Sequence, residues 1–247
     1  GARISGNALD NLMIGGGGAD TLHGGPGNDT LDGGGGNDRL LGGIGDDVFI
    51  VQSRGDAVGE AANAGTDTVV VTGGTGFTLR ANIEALVLEG SGVVTGVGNG
   101  IDNVITGNAG ANVLWGMVGD DTINGDGGAD IIVGGLGRDV LTGGAGGDLF
   151  RFLQLNDSRT AAPDHVTDFV AGQDRIDLRN IDANTQSSGD DAFTYVAQFS
   201  GDAGELMVAA RGGGEYQVRG DIDGNGTADF AIDVTSASAP TAGWFLL

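Results

Sequence analysis

Large apolar residues return every nine positions over two stretches of this chain. In the first they are Met13, Leu22, Leu31, Leu40 and Phe49; in the second, Ile105, Leu114, Ile123, Ile132, Leu141 and Phe150. Each sits in the middle of a three-residue run, and each run follows six residues dominated by glycine and aspartate. A helix would show a period near 3.6 and a long strand a period of 2. A period of nine fits a glycine turn followed by a very short strand, whose central side chain points inward while its two neighbours point outward. Two such units close one coil, so unit n stacks on unit n+2, with parallel strands about 4.8 Å apart. The expected fold is an all-β parallel β-roll, a solenoid of nonapeptides with a β-rich C-terminal cap.

The unit reads Gly-Gly-x-Gly-x-Asp-x-U-x, with U large and apolar. It starts at Gly15, Gly24, Gly33 and Gly42, and again at Gly98, Gly107, Gly116, Gly125, Gly134 and Gly143. This divides the chain into a first block (1–50), an irregular β-rich insertion (51–95), a second block (96–151) and a non-repetitive cap (152–247). The insertion holds strand-like runs at Asp67–Thr72, Phe77–Leu79 and Glu84–Glu89. From Gly42 to Gly98 is 56 residues, two more than six periods. That near-register favours one continuous stack with a distorted middle.

Composition adds a constraint. One large apolar side chain per nine residues does not offset the entropy lost in ordering nine residues. The 247 residues carry a net charge of −23, and all 11 basic residues are arginine. Such a balance argues against nucleic acid and anionic membrane surfaces as partners. There is no cysteine, hence no disulfide framework or thiolate metal site. No apolar run approaches the ~20 residues of a membrane span, and no signal peptide is visible. The chain opens inside a degenerate repeat (Gly6 to Ile14), which suggests a monomeric module whose fused N-terminal domain is missing.

The missing cross-link is expected from the carboxylates. Stacking aligns the sixth positions: Asp20 faces Asp38, Asn11 faces Asp29, and Asp29 faces Asp47. In the second block Asn103 faces Asp121, Asp121 faces Asp139, Asn112 faces Asp130, and Asp130 faces Asp148. Rows of carboxylates at this spacing need cations. Carboxylate and carbonyl oxygens are the donor set of Ca²⁺; Mg²⁺ asks for stricter octahedral geometry, and Zn²⁺ for His or Cys. The carbonyls come from turn glycines, which can adopt positive φ. These are Gly16, Gly18, Gly25, Gly27, Gly34, Gly36, Gly43 and Gly45, then Gly116, Gly119, Gly125, Gly127, Gly134, Gly135, Gly137, Gly143, Gly144 and Gly146. The Asn positions lower the local charge and are the weakest of the set. Asp130→Ala is expected to loosen several coils. Asp56, in the irregular segment, is expected to lie outside the rows and to matter little.

The nonapeptide resembles the repeats-in-toxin (RTX) family, over residues 6–50 and 98–151. That resemblance implies a right-handed roll with Ca²⁺ between its turns. It also implies export through a type I secretion machinery and folding outside the cell, where calcium is plentiful. The segment Asn156–Phe169, with Gln173–Leu178 after it, resembles the cap of the C-terminal domain of serralysin-type secreted proteases. By that resemblance Asp157 and Asp164 close the last calcium site, and the apolar tail Trp244-Phe245-Leu246-Leu247 is a C-terminal secretion signal. Asp221, Asp223, Asn225 and Asp229 stand at positions 1, 3, 5 and 9 of an EF-hand-type loop, with Gly226 at position 6. Position 12 is Ile232, so the closing Glu is missing and an ordinary acidic turn remains the alternative.

Catalytic chemistry is not legible. The two histidines, His23 and His165, are 142 residues apart and outside any His-Glu-x-x-His motif. There is no Gly-x-Ser-x-Gly elbow and no P-loop. The leading expectation is a secreted, non-catalytic calcium-binding module that stabilises and exports a larger protein, with no membrane insertion. Alternatives are an adhesin, surface-layer or polysaccharide-binding module, or the C-terminal part of a secreted metalloprotease or polysaccharide-modifying enzyme. Outward ladders at positions 7 and 9 would favour the adhesin; from sequence they look mixed (Thr21, His23, Thr30, Asp32, Arg39, Leu41).

Overall fold

In the computed structural model, which describes residues 1–74 and 76–247, short strands and glycine turns alternate to build a parallel β-solenoid with a small antiparallel cap. One wall is a thirteen-stranded sheet. Its parallel strands are Leu12–Ile14, Thr30–Asp32, Val48–Val51, Thr68–Val71, Ala85–Leu88, Val104–Thr106, Thr122–Asn124, Val140–Thr142 and Asp164–Val166. Phe230–Thr235 then adds in parallel, and Glu215–Asp221 and Glu205–Gly212 fold back antiparallel to complete the cap, with Thr194–Tyr195 at its edge. The opposite wall is split. Arg3–Ser5, Thr21–Pro26, Arg39–Ile44 and Ala57–Gly59 form one sheet; Phe77–Thr78, Thr95–Val97, Val113–Val118, Ile131–Leu136, Leu149–Arg151, Arg175–Asp177 and Phe245–Leu246 form another.

Each apolar residue of the nine-residue pattern points between the walls. Met13, Leu31, Phe49, Val69, Leu86, Ile105, Ile123, Leu141 and Val166 stack in register along the long sheet. All nine are buried. Leu22, Leu40 and Val58 face them, followed past the split by Leu114, Ile132, Phe150 and Ile176. Gly96 holds an inward position in this file. The Leu86, Leu88 and Leu114 side chains fill the space there, 3.2–3.3 Å from where a Cβ would lie.

The insertion keeps the stack going by changing coil length. In the regular coils partners are 18 residues apart, as for Asp20 and Asp38. Across the insertion the long sheet pairs Val48 with Thr68, Thr68 with Ala85, and Ala85 with Val104. One coil is thus longer than the norm, the next shorter and the third longer, with inward positions preserved throughout. On the other wall the mismatch is not absorbed, and Ala57–Gly59 and Phe77–Thr78 belong to different sheets.

One outward row of the long sheet reads Leu12, Thr30, Val48, Thr68, Ala85, Val104, Thr122 and Val140 before it reaches His165. That stretch is uncharged, a pattern hidden in sequence because the two walls interleave, whereas the other outward row carries Asp32. No helix among the described residues is long and apolar enough to cross a membrane.

Aromatic residues close the C-terminal end. Phe169 packs between Phe150 and Trp244, with ring centroids 6.4 and 4.4 Å away, and Tyr216 meets Trp244 edge-on. Trp244 is buried, and Phe245–Leu246 pairs with the Arg175–Asp177 strand. The apolar tail is therefore the last strand of the stack.

The core file carries a direct test. Ile123→Ala, in calcium, should cost about 2–5 kcal/mol by thermal or denaturant unfolding. Val140→Ala, on the outward row, should stay within about 0.5 kcal/mol. Equal losses would contradict the inward file.

Candidate metal centre

The turn carboxylates form two rows, one along each edge of the roll. The first runs Asn11, Asp29, Asp47, Asp67, then, past Glu84, Asn103, Asp121, Asp139 and Asp164. The second runs Asp20, Asp38, Asp56, then, past the split, Asn112, Asp130, Asp148 and Asp174. Each rung has the same geometry. One carboxylate oxygen, Oδ1, accepts the backbone N–H of the residue one coil below, at 2.7–3.0 Å. Glu84 continues this at Asp67, accepting its N–H through Oε2 at 2.8 Å. The facing pairs expected from the nonapeptide spacing are thus brought together as rungs. The rows also contain Asp56, Asp67, Glu84 and Asp174, which lie outside the nonapeptides. Asp56 corrects the expectation that placed it outside the rows: it is buried and caps Asp38. Its 18-residue spacing from Asp38 was the available signal; the others are displaced by changes in coil length.

The second oxygen separates two kinds of carboxylate. Oδ2 of Asp20, Asp29, Asp38, Asp47, Asp67, Asp121, Asp130, Asp139, Asp148 and Asp164 is buried and has no hydrogen-bond partner. An ionised oxygen in that condition costs several kcal/mol unless a cation meets it. Asp56 and Asp174 differ. Oδ2 of Asp56 accepts from Gln52 and Ser53 N–H, and that of Asp174 from Val170 N–H. These two act as turn caps. Asp157 does the same, accepting from Leu153 and Gln154 N–H.

The glycine turns supply the other donors. A Cβ built on Gly125 would lie 2.2 Å from Asp130 Oδ2 and 2.6 Å from the Gly143 carbonyl oxygen. At Gly116 the same two distances, to Asp121 Oδ2 and the Gly134 carbonyl, are 2.2 and 2.5 Å. Carboxylate and carbonyl therefore border one small space, which only glycine leaves open. The residues present fit a hard divalent cation: oxygen donors alone, several of them charged, without nitrogen or sulfur.

Successive turns also approach closely. A Cβ on Gly34 or Gly36 would fall 2.1 Å from the Gly16 or Gly18 carbonyl oxygen, at φ of +78° and +141°. The left-handed turn persists where glycine is replaced, at Met117 (φ +87°) and Asp126 (φ +70°). In the unit begun at Gly125 the fourth-position turn is made by Gly128 (φ +111°). Gly127 sits at the third position and bridges Ala145, and, like the first-position Gly116, Gly125, Gly134 and Gly143, it lacks the positive φ expected of the turn glycines.

The asparagines behave differently from the aspartates. Oδ1 of Asn11, Asn103 and Asn112 accepts the N–H of Asn7, Asn99 and Asn108, at 2.8, 2.7 and 2.7 Å. Asn103 Nδ2 also donates to the Ile83 carbonyl at 3.1 Å. An amide there is satisfied within the turn, as a carboxylate is not. In the Asp221–Asp229 loop the carboxylates also find donors. Asp221 accepts from Gly224 and Gly226 N–H, Asp229 from Ile222 N–H, and Asp223 from Asn225. Oxygens of Asp221, Asp223 and Asp229 come within 4.8 Å of one another, yet none is buried without a partner. His23 is exposed, and His165 Nε2 pairs with Thr235 Oγ1 at 2.8 Å.

Burial lifts six of the row carboxylates well above their ordinary range, helped by neighbouring charges. Asp47 and Asp139 are pushed up to about 6, and Asp67, Asp121 and Asp130 to about 7. Asp164, beside Asp139 and Asp157, reaches about 9. Asp177 goes the other way, held down by hydrogen bonds from Arg179 and Arg151.

Two predictions follow the geometry. Without metal, the folded chain holds more protons than the unfolded chain between about pH 4 and the raised values of its row carboxylates, about 6 to 7 for most and about 9 for Asp164. Stability of the metal-free roll is then fully present below about pH 4 and lost as the pH rises through 6 to 7. Circular dichroism in chelator should show β signal at about pH 4.5 that fades by about pH 7.5, and calcium should restore it at the higher pH. A chelated chain equally structured at both would exclude this. Gly125→Ala should lower calcium-dependent stability by about 1–3 kcal/mol by crowding the two oxygens. Gly17→Ala, with open space around its Cβ, should be within about 0.5 kcal/mol of the parent.

The chain is similar to several known proteins. Residues 5–49 match the RTX calcium-binding nonapeptide repeat. Over 95 residues the chain is 36% identical to the metalloprotease AprA of Pseudomonas entomophila, covering 37% of this chain and 19% of that protein. It is 34% identical over 97 residues to serralysin C of Dickeya chrysanthemi, covering 38% and 18%. The matched segment thus spans less than a fifth of the length of these relatives. The solution structure of the AlgE6R2 subunit from the Azotobacter vinelandii mannuronan C5-epimerase is 28% identical, with a TM-score of 0.46 over 59% of this chain and 88% of that one. Residues 92–245, more than half of the chain, match the peptidase M10 serralysin C-terminal family, and the chain belongs to that family.

Proposed function

We propose that this chain is a calcium-gated, non-catalytic module of a larger extracellular protein, exported unfolded and folded by calcium outside the cell. The observation that carries this reading is the set of buried Oδ2 atoms without partners, stacked beside glycine carbonyls along both edges. Calcium, when bound, supplies the positive charge those oxygens lack. Asp20, Asp29, Asp38, Asp47, Asp121, Asp130, Asp139, Asp148 and Asp164 would hold it, with first-position glycine carbonyls such as those of Gly134 and Gly143. Each row aspartate uses Oδ1 to tie its coil to the one below and leaves Oδ2 for the ion. The two roles explain why asparagine is tolerated at block starts.

Where calcium is scarce, the acidic rows repel and the chain stays open, which suits passage through a type I secretion channel. Where calcium stands tenfold above its dissociation constant, each independent ion adds about 1.4 kcal/mol. The Trp244–Leu247 tail, with Trp244 and Phe245 buried, supports the same order of events. As the last strand of the stack it is free only before folding.

A second reading is favoured by the uncharged stretch of one outward row of the long sheet, from Leu12 to Val140, with Leu12 and Val104 both more than half exposed. On that reading the same roll presents a binding face to a polysaccharide or cell-surface partner.

The deciding experiment is far-UV circular dichroism of the EGTA-stripped chain at neutral pH, titrated with calcium and, in parallel, magnesium. Calcium alone should bring a cooperative gain of β signal. A full β spectrum in EGTA at neutral pH would reject calcium gating and move the binding-face reading ahead.

A further inference from the structure

The junction between the first block and the insertion holds a carboxylate cluster that the nonapeptide pattern does not contain. Oxygens of Asp47, Glu60 and Asp67 all lie within 4.8 Å of one another. Asp47 and Asp67 are 1% and 0% exposed, and Oδ2 of each lacks a partner. Their Oδ1 atoms are committed to the coil below, accepting from Asp29 and Asp47 N–H. The free oxygens are therefore the ones left at the cluster.

Glu60 changes the donor set. In the preceding coils the space beside the first glycine is bordered by the unit's own aspartate and by a glycine carbonyl one coil on. For Gly24 these are Asp29 Oδ2 and the Gly42 carbonyl, 2.2 and 2.7 Å from a built Cβ. At Gly42 the corresponding residue one coil on is Glu60. A Cβ there would meet Asp47 Oδ2 at 2.1 Å and Glu60 Oε2 at 2.4 Å. A charged side-chain oxygen borders the space here, nearer than any backbone carbonyl. Glu60 is held in place by the N–H groups of Gly43 and Ala61, at 3.2 and 2.8 Å.

We propose that Asp47, Glu60 and Asp67 form a hard-divalent-cation site, of calcium type, that differs from the regular units in its donor set and clamps the insertion to the first block. Three carboxylates converge here, where a regular unit offers carboxylate and carbonyl together, and calcium affinity rises with ligand charge. This site therefore binds more tightly than the regular units and fills before them. Its position has a structural use: it ties the long coil Val48–Thr68 shut where the opposite wall is split. The inference shares one premise with the proposed function, that cations meet the buried carboxylates of this chain.

The test is isothermal titration calorimetry of the full chain with calcium chloride, with magnesium chloride as control. Parent, Glu60→Gln, Asp67→Asn and Asp130→Asn are compared, and circular dichroism in calcium checks that each is folded. Asp67→Asn retains an oxygen for the Asp47 N–H, so it serves should Glu60→Gln fold poorly. The expected result is the loss of one ion, or a fall of at least about tenfold in the tightest class, for both junction variants. Asp130→Asn should instead deplete the weaker class. Junction variants that bind the parental number of ions at parental affinity would overturn the proposal. If Asp130→Asn still loses an ion, the row reading survives without the junction site; if it too is silent, both fall.

Discussion

A carboxylate oxygen removed from water must be protonated, hydrogen-bonded or placed against a cation, and the rest of this structure is arranged around that choice. The roll has a thin core, one file of inward side chains from each wall, and cannot hold its turns together by apolar burial alone. Its rows of aspartate make the metal-free coil self-repelling. Asp56, Asp157 and Asp174 take the second option and become turn caps. Ten aspartates leave Oδ2 buried without a hydrogen bond, so that protonation or a cation is the remaining choice. Among the aspartates that difference, more than the count of acids, distinguishes a carboxylate aimed at an ion from one that finishes a turn.

The glycines belong to the same constraint. Their frequency reflects the left-handed turn only in part, since Met117 and Asp126 adopt it too. The stricter demand is space. Carbonyl oxygens of one coil sit where side chains of the next would begin, and at the first position a carboxylate oxygen joins them. A methyl group at Gly125 would occupy the space that the oxygens surround.

The cap and the insertion show how the solenoid tolerates irregularity. The insertion lengthens and shortens successive coils, yet the inward file of the long sheet stays in register. It is the sheet with inward Val69 and Leu86 that survives; the opposite wall, where Gly96 occupies an inward position, divides. At the C-terminal end Asp164 extends one carboxylate row and begins the strand that pairs with the antiparallel cap. Membership of the serralysin C-terminal family rests on this end of the chain together with the second block.

The sequence by itself determined the period, the inward files and the facing pairs, because a nine-residue repeat leaves only one way to place an apolar residue, a turn and a carboxylate in every unit. From Met13 to Phe49 and from Ile105 to Phe150 each apolar position was legible, as were rungs such as Asp29 with Asp47. The tertiary structure alone decided what happens where the period fails. Asp67, Glu84 and Asp174 reach the rows through coils of altered length, and Glu60 reaches its cluster from a segment without the motif. It also decided which oxygens are satisfied. Asn103 and Asp121 occupy equivalent positions in sequence, yet the Asn103 oxygen is hydrogen-bonded within its turn while Oδ2 of Asp121 has no partner. Hydrogen-bond satisfaction depends on where backbone N–H groups of other coils come to lie, which no local pattern of residues encodes.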